Sequence, residues 1–329
     1  MADNGGDVVR SISLRVDPVG GPVRDKADSE VVRAVADALG GGTLRGLVVL
    51  VHGYNNTFDD AKTAFSAFRD RERELAQLPI NRPLADNRIF LEIYWPGDAD
   101  WGILSFLFYM GSLENARKTA DRLAPAFAEL AKGAPMPLEI DVVAHSMGCR
   151  LSLELIKLLV AVPNVQLTHV VLMAGAVSTF MLEPAPDNQR LRQAYDAMLG
   201  GGGGLAKSLY SPADAVLTFA FPIGQTLASG DEGTCPTALG HEYWASPTVP
   251  GNLDQYEVQG AGHSDYWGWR EGAKARAISM DAHRQIQPFL GFNHAPPREA
   301  ASRDTFEADA PESRDSTPAR EVAEYKSSD

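Results

Sequence analysis

An α/β protein, with a mostly parallel central sheet covered by helices on both faces, is what this 329-residue sequence predicts. Three observations carry that expectation. Strand-like and helix-like segments alternate along the chain. Most of the strand-like segments are continuous apolar runs, as in sheets buried on both sides. Glycine or proline marks many of the junctions.

The elements follow in order. "VVRSISLRV" (8–16) alternates as a strand does, and "DSEVVRAVADAL" (28–39) has apolar residues at helical spacing behind an acidic start. After Gly40, Gly41 and Gly42, "RGLVVLVHGYNN" (45–56) holds a β-branched run that reads as a buried strand. "DDAKTAFSAFRDRERELAQL" (59–78) is an amphipathic helix, and "NRIFLEIYW" (87–95) is a strand stopped by Pro96–Gly97. Helix 112–131, strand 138–145, helix 147–162 and strand 167–177 complete the alternation.

Residues 1–44 are thus expected to be a strand and helix leading into the core, and residues 45–295 the main domain. Two stretches break the rhythm. Residues 178–205 carry an acidic, proline-bearing loop, a helix-like "QRLRQAYDAML" (189–199) and the run Gly200–Gly204. No Lys-Ser or Lys-Thr follows the glycines, so they read as a flexible connection and not as a phosphate-binding P-loop. From 296 to 329 the chain is poor in apolar residues, and a disordered acidic tail is expected, with no identifiable protein partner.

Hydrophobic residues make up 44% and charged residues 22%, the balance of a globular domain. A net charge of −13 argues against nucleic acid as a partner, because such binding needs a clustered positive face. "MADNGGDVVR" shows no basic and then apolar signal pattern. The longest apolar stretch, "WGILSFLFYMG" (101–111), is far short of the ~20 residues a span needs, so a cytoplasmic location without a membrane span is expected. Cys149 and Cys235 have no metal-type spacing, and Cys149 reads as a buried, inert thiol. No metal or cofactor is expected.

Ser146 in "DVVAHSMGCRLSLELIKLL" (141–159) stands where a strand gives way at once to a helix. So tight a turn strains the serine backbone and requires small residues two positions away on either side, which Ala144 and Gly148 provide. The new helix also points its free N–H groups toward the serine. A serine needs a base, normally a histidine oriented by a carboxylate. His145 should project to the opposite face of the strand, and His169 reads as core. His263, in "VQGAGHSDYW" (258–267), lies where a short strand ends in glycine, the setting of a base on a loop; His241 is the runner-up. Asp214 in "KSLYSPADAVLTF" (207–219) is the carboxylate candidate, and helix N-capping is its other reading; Asp254 and Asp265 are alternatives. His52–Gly53 ends a strand sharply, so the Tyr54 N–H would form, with the Met147 N–H, a pair of donors for an oxyanion.

In order, "HGYNN", "AHSMG", "SPAD" and "GAGH" resemble the lipase- and esterase-like serine hydrolases of the α/β-hydrolase superfamily over residues 45–290. The "VHGYNN" loop and the "WPGD" segment (95–98) are similar to those of a bacterial branch without assigned substrates. The resemblance implies an α/β-hydrolase fold with a candidate lid at 178–205. It also implies a triad of Ser146, Asp214 and His263, oxyanion donors at Tyr54 and Met147, and a small acyl ester or lipid as substrate. Trp101, Leu104 and Phe106 would then line the acyl pocket or pack as core. Acyl transfer, amide cleavage and a catalytically silent binding module are the competing expectations.

Overall fold

The computed structural model describes residues 6–16, 22–54, 56–79, 82–85, 87–97, 109–134, 137–183, 191, 194, 196, 205–228, 236–245 and 253–292. Trp101, Leu104 and Phe106, most of the expected lid and the expected tail lie outside them. Contacts divide the chain into Met1–Ala295 and Pro296–Asp329, and every described residue belongs to the first.

Seven parallel strands form one sheet in the order β1-β3-β2-β4-β5-β6-β7. They are β1 (Val8–Ser13), β2 (Gly46–Val51), β3 (Arg88–Tyr94), β4 (Leu138–His145), β5 (Val165–Met173), β6 (Leu205–Tyr210) and β7 (Leu253–Glu257). The helices are α1 (Ser29–Gly40), α2 (Phe58–Ala76), α3 (Tyr109–Gly133), α4 (Met147–Leu159), α5 (Phe221–Ala228, behind a π turn at Val216–Ala220) and α6 (Ala273–Leu290). Parallel neighbours need crossovers, and the helices supply most of them. α3 packs on both α1 and α4, and α2 packs on α6, so two helical sets cover the sheet.

Local chemistry explains several boundaries. The Asp28 carboxylate accepts the N–H groups of Glu30 and Val31 and starts α1. Thr57 and Asp60 cap each other reciprocally at the start of α2. Every residue of β2 is buried and β4 is buried almost throughout, as the apolar runs require.

Other boundaries shift for tertiary reasons. The first strand, expected to reach 16, ends at Ser13. The Leu14 N–H still meets the Tyr94 carbonyl at 2.8 Å, but the Arg15 side chain turns inward to the Asn56 carbonyl. The strand expected over 167–177 starts earlier and stops at Met173, because Ala174 takes φ 46° and leaves the extended region.

Candidate active site

The site sits at the carboxyl ends of the central strands, where β4 meets α4. Ser146 has φ 55° and ψ −125°, a backbone that L-residues avoid, held by hydrogen bonds from its own N–H to Met173 O (2.9 Å) and to its carbonyl from Ala176 (3.1 Å) and Cys149 (3.0 Å). The small-residue requirement at 148 has a specific source: a Cβ on Gly148 would run into the carbonyl oxygens of His52 and Val51. Likewise a Cβ on Gly53 would lie 2.8 Å from Ser146 Cβ. The loop after β2 therefore rests directly on the serine turn.

His263 Nε2 lies 2.7 Å from Ser146 Oγ, and His263 Nδ1 lies 2.7 Å from Asp214 Oδ2. The three residues come from three distant loops and form one line. Asp214, fully buried, serves both readings of the sequence at once. Its Oδ1 accepts the Val216 and Leu217 N–H groups at 3.0 and 3.1 Å, while its Oδ2 faces His263. The alternatives are engaged elsewhere. His241 Nδ1 is 3.5 Å from Thr218 Oγ1, Asp254 pairs with Lys207, and Asp265 accepts the Gly262 N–H at 2.8 Å.

Tyr54 and Met147 line one pocket with Ser146 and His263. The peptide between Gly53 and Tyr54 is oriented by His52, whose role the sequence reading left open. His52 Nε2 accepts the Trp95 N–H at 3.3 Å, so its proton is on Nδ1, which donates to the Gly53 carbonyl at 2.8 Å. In a trans peptide the Tyr54 N–H then points the opposite way, away from His52. Burial, reinforced by the Arg15 charge, pushes the His52 pKa down to about 3, so the ring is neutral at physiological pH. Arg15, 4% exposed, reaches in from beyond β1 to the Asn56 carbonyl at 2.6 Å; no local pattern in the sequence announces that contact.

His145, expected on the far face of the strand, instead sits beside His263, with ring centroids 5.0 Å apart. The strand's alternation stops at Ser146, and the histidine-bearing loop folds over the His145 ring. Its Nε2–H donates to the His263 carbonyl at 2.6 Å. His169, read as core, is half-buried and bonded to Asp141. Cys149 is fully buried, and burial raises its thiol pKa far above the ordinary value.

The pocket measures about 280 Å³, and Ala176, Leu217, Ala220, Phe221, Trp267 and Trp269 contribute to its wall. Among the described residues, no group of three or more His, Cys, Asp or Glu side chains is arranged to hold a metal ion. None of their helices is long and apolar enough to cross a membrane.

A seven-stranded parallel sheet with a serine on a strained strand-to-helix turn is the architecture of an α/β hydrolase. The family model described as "Alpha/beta hydrolase of unknown function (DUF900)" matches residues 28–191, a span that includes Ser146 and ends before Asp214 and His263, and the chain belongs to the α/β-hydrolase superfamily. No curated protein matches the sequence. Among solved structures the chain is similar to esterase 2 of Thermogutta terrifontis (12% identity, 77% of this chain and 85% of that one, TM-score 0.40). It is also similar to Est1E of Butyrivibrio proteoclasticus (9% identity, 76% and 90%, TM-score 0.39) and to TT1662 of Thermus thermophilus (15%, 76% and 89%, TM-score 0.37).

Proposed function

We propose that the chain is a serine hydrolase that cleaves carboxylic esters of small, apolar acyl groups through an acyl-enzyme. The observation that carries this reading is the line Ser146 Oγ–His263–Asp214, closed by two contacts of 2.7 Å. Ser146 Oγ attacks the ester carbonyl while its proton passes to His263 Nε2. The Asp214 carboxylate stabilises the imidazolium and holds the ring in the tautomer that leaves Nε2 free to accept. The oxyanion is received by the N–H groups of Tyr54 and Met147, where pre-aimed donors are each worth roughly 3–4 kcal/mol of barrier. His263 then returns the proton to the departing alkoxide. Water, deprotonated by the same ring, hydrolyses the acyl-Ser146 bond and releases the acid.

The apolar wall around Leu217, Phe221, Trp267 and Trp269 supports an uncharged acyl group. A volume of about 280 Å³ lies at the low end for small-molecule pockets, which favours a short chain. The test is labelling with a fluorophosphonate probe, with the modified residue mapped by mass spectrometry. Modification at Ser146, lost in Ser146→Ala and accompanied by turnover of p-nitrophenyl butyrate, is expected. A folded wild-type chain that neither takes the label nor turns over short esters would overturn the reading.

A further inference from the structure

We propose that His145 is a positioning residue for His263, a neutral clamp that ties the loop carrying the base to the turn carrying the nucleophile; the proposal rests on the hydrolase reading above. The loop from Ala261 to Gly268 is held by its carbonyls. The His263 oxygen accepts from His145 Nε2 at 2.6 Å, the Tyr266 oxygen from His283 Nε2 at 3.1 Å, and the Gly268 oxygen from Arg71 Nη2 at 3.1 Å. Those donors come from β4, α6 and α2, so three elements grip one loop. Within it the Gly262 N–H meets Asp265 Oδ2 at 2.8 Å and the Asp265 N–H meets the Gly262 carbonyl at 3.1 Å, closing a turn around His263.

Of the three donors only His145 adjoins Ser146 in the chain. Its hydrogen bond sets the distance between the backbone of the base and the backbone of the nucleophile. The opposite edge of its ring meets the oxyanion loop, since a Cβ on Gly53 would lie 2.8 Å from His145 Nδ1. The imidazole is therefore wedged among all three parts of the site.

The charge state of the clamp matters as well. A carbonyl accepts only a donor, so Nε2 carries the proton, and the buried Nδ1 has no hydrogen-bond partner. Burial, and next the neighbouring His263, push the His145 pKa down to about 3, which leaves the ring uncharged at working pH. A cation at that place would oppose the imidazolium that His263 becomes in each cycle. A neutral N–H holds the loop without that penalty.

The experiment compares wild type with His145→Gln, whose amide nitrogen reaches the Nε2 position, with His145→Asn, whose amide stops short of it, and with His145→Phe, which keeps the ring and loses the donor. Fluorophosphonate labelling rate, kcat and KM on p-nitrophenyl butyrate, and thermal unfolding are measured for each. Misplacing a catalytic group by about 1 Å costs on the order of 100-fold, so Phe and Asn variants should lose roughly 10- to 100-fold in kcat with KM little changed. The Gln variant should recover most of the rate and keep the wild-type acid limb of its pH profile. A His145→Phe protein that labels at the wild-type rate, or a folded Gln variant as slow as the Phe or Asn variant, would refute the clamp; should the Phe variant not fold, the Gln and Asn pair decides. A wild-type chain unlabelled at Ser146 would instead remove the hydrolase reading, and the clamp's catalytic role with it.

Discussion

Asp214–His263 and Glu72–His283 both join a fully buried carboxyl group to an imidazole through Nδ1, at 2.7 and 2.6 Å. By length alone they are interchangeable. What separates them is the second nitrogen. His263 Nε2 faces a hydroxyl, which has a proton to give, at the wall of a pocket. His283 Nε2 faces the Tyr266 carbonyl, which can only accept. With a carbonyl on that side the ring is offered no proton to take, and the Glu72–His283 pair is sealed between α2 and α6, both side chains fully buried. A third pair, Asp141–His169, joins at 2.7 Å with the imidazole half-exposed, and Asp141 also binds Arg88 and, at 2.5 Å, Thr168. It pins β3, β4 and β5 near the end of the sheet remote from Ser146. The lesson is that a carboxylate beside a histidine marks a position for a proton, and the partner on the far side of the ring decides whether that proton can move.

The comparison is broken most severely by deleting the proposed base. His263→Ala or Ser146→Ala should lower kcat/KM on short esters by roughly 10⁴- to 10⁶-fold, with far-ultraviolet circular dichroism and melting temperature close to wild type. The matching change in the sealed pair, His283→Ala, should do the reverse. It leaves the buried Glu72 carboxyl without its imidazole partner and should cost about 3–5 kcal/mol in denaturant unfolding, while the serine still takes a fluorophosphonate. A His283→Ala protein as stable as wild type would mean that the two pairs do not differ as argued.

Acid pH sharpens the contrast between buried neutral rings and paired ones. His52 and His145 have folded pKa values pushed from 6.5 to about 3, so below pH 6.5 the unfolded chain binds protons that the folded chain refuses. Stability is therefore fully present above about pH 6.5 and falls between there and pH 3, by on the order of 1 kcal/mol per pH unit for each ring. Melting temperatures taken from pH 7 to pH 4 should show this loss, and His145→Gln should make the slope shallower. The smallest effect belongs to the half-exposed pair: His169→Ala should cost about 1 kcal/mol by urea titration and leave ester turnover unchanged.

Much of the molecule was legible in the residue order. Apolar runs at 47–51 and 138–145 and helical periodicity at 59–78 each depend on neighbours a few positions away, so the alternating α/β architecture could be read directly. Ser146 and Gly148 were legible because the steric demand of a tight turn is local. Asp214 and His263 carried a weaker signal, the end of a strand followed by turn residues. Glu72 was not legible as a buried carboxyl, since "RDRERELA" within the amphipathic helix is almost entirely charged. His145 was expected to face away, because alternation along a strand says nothing about a loop arriving from 118 residues downstream.

Strand and helix order and the strained serine turn followed from the sequence by itself, because periodicity and sterics are properties of nearby residues. Which carboxylate faces which imidazole, and what stands beyond each ring, was decided only in the tertiary structure. Those pairings join residues 28 to 211 positions apart, and burial beside a hydroxyl or beside a carbonyl has no counterpart in local spacing.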